Sequence, residues 1–267
     1  MHSITSREHV LFKQLVKLEK SSRQRRLDRL TLLDGTHLIQ AYHAAQRVPL
    51  KLIVNESRCE HAEIKHLLSE FSKRAEINIV TFSDALFRQI SPVKTPTGIL
   101  ALIAIPPSEP NTVNDNQVFC ALLEAIQDPG NLGSILRSAA AAGISDVYLS
   151  DDCADAWSPK ALRAAMGAHF SLTIHEQSDL VQVAQHFHGK VIATALQATQ
   201  HLYETDLNGP VAFVFGNEGA GLSQEILHAV SEQVMIPMLD NTESLNAAAA
   251  AAICFFEKVR QQSFSNV

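Results

Sequence analysis

The segment VFCALLEAIQDPGNLGSILRSA at residues 118–139 predicts one strand, one tight turn and one helix. Its first eight residues are almost all apolar, as expected for a strand covered on both faces in a parallel sheet. Pro129 and Gly130 then favour a turn, and Asn131 is the predicted N-cap of a helix over 131–142. This strand–helix alternation recurs in both directions along the chain, which predicts an α/β fold.

Further apolar runs predict a parallel sheet downstream and a smaller α/β domain upstream. The downstream strands and helices are expected at 146–150, 159–166, 178–187, 191–196, 211–216, 223–232, 234–238 and 244–261. The upstream ones are expected at 7–20, 30–33, 37–46, 51–55, 60–74, 77–82, 84–90 and 99–105. Three prolines in PPSEPNTVND, 106–115, indicate a break between the two patterns. We therefore predict a domain at 1–107, a linker at 108–117 and a second domain at 118–267.

Composition excludes several classes of protein. The chain has 267 residues, 46% of them hydrophobic, so it can bury a core in each domain and is not disordered as a whole. No apolar run approaches the ~18–20 residues of a membrane span. The N-terminus MHSITSREHV lacks the apolar core of a secretory signal, so we expect a cytoplasmic protein. The four cysteines are widely spaced and the histidines show no ligand spacing, which favours free thiols and no metal site.

Charge is distributed unevenly between the two predicted domains. Residues 1–107 carry 16 Lys and Arg against 10 Asp and Glu, whereas residues 108–267 carry 6 against 18. The first domain is therefore better suited to a polyanion. Within it, leucines of the 7–20 helix share one face and lysines another. A solvated basic helix is the alternative explanation.

Three strand-to-helix junctions carry unusual residues, and ligands of open parallel sheets bind at such junctions. Arg137 lies in a predicted alanine-rich helix with no acidic neighbour within four positions. It is either a solvated surface arginine or one that binds a phosphate or carboxylate through two N–H groups. The turn GNEGAGLS, 216–223, contains three glycines and the carboxylate of Glu218. A plain structural turn explains the glycines equally well. The third junction places Ser244 and Asn246 before a run of six alanines.

These three junctions resemble, in order, the motifs of SpoU-type (TrmH-like) RNA 2'-O-ribose methyltransferases of the SPOUT class. The matching segments are NLGSILRSA, VFGNEGAGLS and IPMLDNTESLNAAAAAA. Residues 1–107 resemble the family's L30e-like substrate-binding domain through KLEKSSRQRR, LLDGTHLIQA and PTGILALI. Many members have a glycine where this chain has LDNTE, 239–243, and a Glu-Gly pair where it has Asp34 and Gly35.

The resemblance implies a parallel sheet with a deep trefoil knot, S-adenosyl-L-methionine bound in that knot, and a homodimer whose active site uses both chains. The implied cofactor positions are Thr194, Ala195, Leu196, Gly216, Ile236, Met238 and Leu245. The implied catalytic positions are Asn131, Arg137, Glu218, Ser244 and Asn246. The basic residues expected to contact RNA phosphates are Lys13, Lys17, Lys20, Arg23, Arg25, Arg26 and Arg29.

The resemblance also implies roles for the polar positions. Arg137 would clamp the target phosphate and stabilise the developing alkoxide, since a guanidinium with a pKa above about 12 is a poor base. The asparagines and Ser244 would orient the ribose and the amino-acid end of the cofactor. Glu218 would accept a hydrogen bond from the substrate or hold Arg137 in place.

Two other functions remain open from the sequence. A nucleotide-dependent oxidoreductase would use the glycine turn for a pyrophosphate, but the GxGxxG spacing is absent. A non-catalytic RNA-binding SPOUT protein would have lost polar motif positions, and all five are present. For a methyltransferase, ribosomal RNA is the expected target and transfer RNA the alternative.

Overall fold

A computed structural model describes residues 3–72, 77–93, 95–108, 113, 118–239 and 243–264. The chain packs as two compact units. The first comprises Met1–Pro107 together with Trp157–Phe170, and the second comprises Ser108–Ala156 together with Ser171–Val267. Most of the predicted linker at 108–117 lies outside the described residues. The division at 107 into two continuous domains stays a prediction.

The first unit contains a five-stranded mixed sheet. Its elements in chain order are β1 Ser3–Ile4, α1 Val10–Lys20, α2 Ser22–Asp28, β2 Leu30–Asp34, α3 Thr36–Ala44, β3 Lys51–Asn55, α4 Ala62–Ser72, β4 Ile79–Phe82, α5 Asp84–Ile90 and β5 Ile99–Ala104. The strand order is β1-β4-β3-β5-β2, with β5 antiparallel to β2 and β3 and the other pairs parallel. The predicted upstream strands and helices are present, with ends shifted by a few residues.

Helix α1 forms because its leucines recur every three or four residues. Leu11, Leu15 and Leu18 are buried against the sheet, while Lys17 and Lys20 lie in the last turn, where cations stabilise the helix dipole. The helix ends where Ser21 adopts an extended conformation and caps α2 through its side chain.

The second unit is built on a seven-stranded sheet, as the apolar strands predict. The elements from 119 onward are β6 Phe119–Leu123, α6 Pro129–Ala141, β7 Asp146–Leu149, α7 Pro159–Ala165, β8 Thr173–His175, α8 Leu180–His186, β9 Lys190–Thr194, β10 Gln200–His201, β11 Val211–Phe215, α9 Gln224–Ala229, β12 Glu232–Met235 and α10 Ala247–Phe264. Of these, α7 belongs to the first unit. The strand order is β10-β12-β9-β11-β6-β7-β8, and every neighbouring pair is parallel. The α/β class and the parallel sheet are confirmed.

The prediction of Asn131 as a helix N-cap is wrong. Helix α6 begins two residues earlier, and Asp128 caps it by accepting hydrogen bonds from the backbone N–H groups of Gly130 and Asn131. Pro129 takes the first helical position, where its missing N–H costs nothing. The side chain of Asn131 is therefore available for bonds outside its own helix.

Helix α10 is fastened to the segment that precedes β11. The buried ammonium of Lys258 donates to the carbonyls of Leu207 and Gly209 and lies 5.3 Å from the centroid of the Phe119 ring. Gln261 accepts a bond from the N–H of Leu207 and donates to a carbonyl two residues before it. Within the described residues, no helix has the length and apolarity needed to cross a membrane.

Candidate functional site

Four loops of the second unit meet at one edge of its sheet. Strands β6, β11, β9 and β12 are parallel and lie next to one another, so their carboxyl ends share an edge. The loops that leave this edge begin at residues 124, 216, 195 and 236. They contain the three motifs of the sequence, which the fold thus brings together.

A cavity of about 400 Å³ opens among these loops. Its volume lies within the usual range for a small-molecule site. All seven predicted cofactor positions line it: Thr194, Ala195, Leu196, Gly216, Ile236, Met238 and Leu245. Two of the predicted catalytic positions, Glu218 and Ser244, line it as well.

The glycine turn is closed so tightly that one position accepts only glycine. A Cβ on Gly216 would lie 2.7 Å from the backbone nitrogen of Leu222 and closer still to the carbonyl of Gly221. Gly221 itself has φ +72°, a conformation that favours glycine. Asn217 and Gly221 exchange backbone hydrogen bonds of 3.0 Å, which hold the turn shut. The turn therefore presents main-chain groups to the cavity.

Three side chains join the three motifs through hydrogen bonds. The amide nitrogen of Asn131 donates to Oε1 of Glu218 at 3.0 Å. The amide oxygen of Asn131 accepts from Nδ2 of Asn246 at 2.9 Å. Asn246 in turn caps α10, since its side-chain oxygen accepts from the backbone N–H groups of Ala248 and Ala249. We call Glu218, Asn131 and Asn246 the polar relay.

Glu218 is held as a carboxylate by this arrangement. Partial burial raises its pKa, but hydrogen bonds from Asn131 and from backbone N–H groups outweigh that effect, so the net pKa lies below its ordinary value. Besides Asn131, the donors include the backbone of Gln127 and Asp128, at 3.3 and 3.4 Å. Glu218 was predicted to accept a hydrogen bond from the substrate or to hold Arg137 in place. None of these bonds goes to Arg137, and the bond to substrate stays a prediction.

Arg137 lies outside the cavity lining, on an exposed position of α6. No hydrogen bond or ion pair links it to any other residue that the structure describes. The two residues before the alanine helix that were predicted with it, Ser244 and Asn246, are also exposed. Asn246 contacts the relay, whereas Ser244 contributes to the cavity wall.

The predicted RNA-binding residues fall into two groups. Six of them are exposed on α1, α2 and the turn after α2: Lys13, Lys17, Lys20, Arg23, Arg26 and Arg29. Lys13 is paired with Glu8. Arg25, in contrast, is buried, and its guanidinium donates to the carbonyls of Leu18 and Glu19 at the end of α1. Its contacts are those of a structural residue.

Two further residues hold this site together and were not among the residues predicted from the sequence. Glu124, directly after β6, binds both the backbone N–H and the hydroxyl of Ser223. Asn217 donates to the carbonyl of Ala125 and accepts from the N–H groups of Gly219 and Ala220. A signal existed for Glu124, because it is a lone carboxylate at the carboxyl end of an apolar strand. Among the described residues, no group of His, Cys, Asp and Glu is arranged to hold a metal ion.

Comparisons with known proteins agree with this arrangement. Residues 119–256 match the SpoU rRNA Methylase family, and residues 11–101 match the MRM3-like substrate binding domain. An uncharacterized tRNA/rRNA methyltransferase of Synechocystis sp. is 34% identical over 97% of this chain and 94% of its own length. The 23S rRNA (guanosine(2553)-2'-O)-methyltransferase RlmP of Bacillus subtilis is 29% identical over 96% of this chain and 98% of its own. A crystal structure of an RNA 2'-O ribose methyltransferase superposes with a TM-score of 0.82 at 28% identity, covering 98% of this chain and 100% of that one.

Proposed function

Because this chain belongs to the SpoU rRNA methylase family of S-adenosylmethionine-dependent RNA 2'-O-methyltransferases, we propose that it methylates a ribose 2'-hydroxyl of ribosomal RNA. Similarity to ribosomal RNA enzymes such as RlmP favours this target over transfer RNA. The match of residues 11–101 to a substrate-binding domain supports RNA capture by the first unit.

One observation carries the proposal: the polar relay lies beside the cavity and contains a residue from each motif. A methyltransferase must hold donor and acceptor in line, and a misplacement of about 1 Å can lower the rate about a hundredfold. The relay fixes Asn131 and Asn246 against Glu218, so their positions are set before a substrate arrives. Preorganised polar groups of this kind lower a barrier without having to reorient during the reaction.

The cavity fits the family's methyl donor. Gly216 and Gly221 line the cavity and have no side chains, so the turn offers main-chain polar groups that suit an adenine edge. Leu196, Ile236 and Leu245 supply apolar surface. When bound, S-adenosylmethionine would supply a methyl group for transfer to the ribose oxygen, and the sulfur that carried it would leave as a neutral thioether. The residues of this chain hold that donor, exclude water from it and orient the ribose.

We assign to Arg137 the binding of the target phosphate and the stabilisation of charge on the attacking oxygen. A guanidinium suits this role because it stays protonated and can bind an oxyanion through two N–H groups. Arg137 is exposed and does not line the cavity of its own chain. We therefore propose a homodimer in which Arg137 of the partner subunit completes each active site.

We also propose that the C-terminal segment is threaded into the trefoil knot of its family. Ile236, Met238, Ser244 and Leu245 line the same cavity as the 216–222 turn. Helix α10 is then fastened to the carbonyls of Leu207 and Gly209. These contacts on both sides of β11 support a threaded path. An enzyme of ribosome maturation of this kind would act in the cytoplasm.

The test is methyl transfer from tritiated S-adenosylmethionine to unmodified ribosomal and transfer RNA transcripts. We expect label in ribosomal RNA, on a nucleotide whose 2'-oxygen is methylated. The phosphodiester that follows this nucleotide should then resist alkaline cleavage. Arg137→Ala should lower turnover by at least about a hundredfold, with unchanged donor affinity, whereas Arg88→Ala, another exposed arginine, should leave turnover unchanged.

Three outcomes would count against the proposal. Labelling of transfer RNA alone would overturn the target, and label on a base would overturn the chemistry. Binding of a dinucleotide in place of S-adenosylmethionine would favour an oxidoreductase.

A further inference from the structure

Glu124, which directly follows β6, makes two short hydrogen bonds to Ser223 at the end of the 216–223 glycine turn. Its Oε1 accepts from the hydroxyl of Ser223 at 2.6 Å, and its Oε2 accepts from the backbone N–H of the same residue at 2.8 Å. Both donors converge on one carboxylate, which is the strong, charge-assisted type of bond. Ser223 also caps α9, since its oxygen accepts from the N–H of Ile226 at 3.3 Å.

The turn that Glu124 closes forms one wall of the cavity. Gly216, Asn217, Gly221 and Leu222 all line that cavity, and Ser223 follows immediately. Because Gly216 is already in close contact with the 221–222 backbone, a displacement at Ser223 cannot be absorbed within the turn. It must move the main-chain groups that face the ligand.

Other anchors hold the opposite end of the turn. Asn217 donates to the carbonyl of Ala125 at 2.8 Å, and Glu218 binds the 127–131 segment. These bonds fix residues 217 and 218. At the other end of the turn, the carbonyl of Ser223 accepts from the N–H of Leu227, and Glu124 binds the N–H and the hydroxyl of Ser223. No other side chain in the described part of the molecule bonds to the N–H of Ser223.

We propose that Glu124 is a positioning residue for the methyl donor: its carboxylate fixes Ser223 and thereby the backbone of the 216–223 turn that binds the donor. The proposal deepens the proposed function and rests on it, because it takes the ligand of the cavity to be S-adenosylmethionine. Glu124 does not line the cavity, so it acts through the turn and not on the ligand.

The chemistry specifies the variants. Glu124→Gln keeps the shape of the side chain but removes its charge and replaces one acceptor by an NH₂ group, so it cannot accept both hydrogen bonds from Ser223. Ser223→Ala removes one of the two bonds, and Ser223→Thr keeps both donors. Glu225→Gln removes a carboxylate from the exposed first turn of α9, outside the cavity lining, and serves as the matched control.

The experiment is calorimetric titration of the full chain with S-adenosylmethionine, together with steady-state methyl transfer. Glu124→Gln should weaken donor affinity about tenfold, because the free energy of one charge-assisted hydrogen bond corresponds to at least that factor. Turnover at saturating donor and the KM for RNA should stay within about twofold. Ser223→Ala should weaken donor affinity in the same direction, whereas Ser223→Thr and Glu225→Gln should bind like the unaltered chain.

A merely structural role for Glu124 predicts a different pattern. In that case Glu124→Gln would lower the melting temperature and the active fraction, while the folded fraction would bind with unchanged affinity. That result, or equal affinity of Ser223→Ala and Ser223→Thr, would overturn the proposal. If Glu124→Gln does not fold, the two Ser223 variants decide the question. An unaltered chain that binds the donor but leaves ribosomal RNA unmethylated would overturn the proposed function and not this inference.

Discussion

Replacing Asn131 by aspartate should break the polar relay while leaving its shape almost unchanged. The new carboxylate keeps an oxygen that can accept from Asn246. Its other oxygen, however, takes the place of the amide nitrogen that now lies 3.0 Å from Oε1 of Glu218. A hydrogen bond to a charged acceptor thus becomes a contact between two like charges.

The separation sets the size of the effect. Two unit charges 3.0 Å apart repel by about 1.4 kcal/mol in bulk water and about 5.5 kcal/mol at an effective dielectric constant of 20. Glu218 is exposed and Asn131 partly so, which places the repulsion near the lower value. With the lost hydrogen bond added, we expect about 2 kcal/mol less stability at pH 8.

The deficit should shrink on acidification. In the unaltered chain the pKa of Glu218 is lowered, so its stabilising effect is present at neutral pH and is lost as the pH falls through its folded-state pKa. In Asn131→Asp, protonation of either carboxyl removes the repulsion. Urea unfolding at a series of pH values should therefore give midpoints that converge under acidic conditions. Methyl transfer at pH 8 should fall at least about a hundredfold.

A second asparagine beside a carboxylate provides the control. Asn208 donates to Asp206 in a turn that does not line the cavity, so Asn208→Asp should leave the turnover of folded protein unchanged. Equal stability of Asn131→Asp and the unaltered chain at every pH would refute the bond between Asn131 and Glu218.

Three further predictions concern the cavity, a buried carboxyl and the basic surface. Gly216→Ala should weaken binding of S-adenosylmethionine at least about tenfold by calorimetry, because its Cβ meets backbone, whereas Gly219→Ala makes only a 3.6 Å contact and should bind normally. Burial raises the pKa of Asp34 to about 6. The stability that the neutral carboxyl contributes is therefore fully present below its ordinary pKa of 3.8 and is lost as the pH rises through about 6. In urea unfolding, the free energy of unfolding of the unaltered chain should fall by up to roughly 3 kcal/mol relative to that of Asp34→Asn by pH 7. Parallel plots of unfolding free energy against pH for the two proteins would contradict this. The double variant Lys17→Ala, Lys20→Ala should lower the slope of log affinity against log salt concentration, measured by filter binding, by the equivalent of up to about two phosphate contacts. An unchanged slope would mean that the RNA does not contact these two lysines.

The sequence predicted most of the fold because its strands are long and apolar. Runs such as 118–125 and 211–216 can only be buried strands or short buried helices, and their alternation with helical periods settles the class. Strands β1 and β10 were missed because two residues carry no periodicity. The predicted helix at 223–232 is too long, since α9 ends at Ala229 and Glu232 already begins β12.

The candidate site was predictable in composition but not in its bonds. The family resemblance implied that Gly216, Ile236 and Leu245 share one cavity, and they do. It left Glu218 to bind either the substrate or Arg137, and it did not predict the bond that Glu218 makes to Asn131. Hydrogen-bond partners depend on rotamers and on distances across the sheet edge, which no linear pattern encodes. Arg25 illustrates the same limit: within the basic run RQRR it cannot be told from its exposed neighbours, and only packing assigns it to the end of α1.

The first unit is discontinuous in sequence, and this affects how such chains can be recombined. Residues 157–170 supply Trp157, whose carbonyl accepts from the hydroxyl of Thr31 at 2.6 Å, and Phe170, which packs edge-on against Tyr42. A fragment ending at Pro107 would leave these apolar surfaces uncovered and prone to aggregate. Shuffling substrate modules between relatives by a single crossover near 107 should therefore yield poorly behaved hybrids, and a second crossover that carries the 157–170 insert along should restore them.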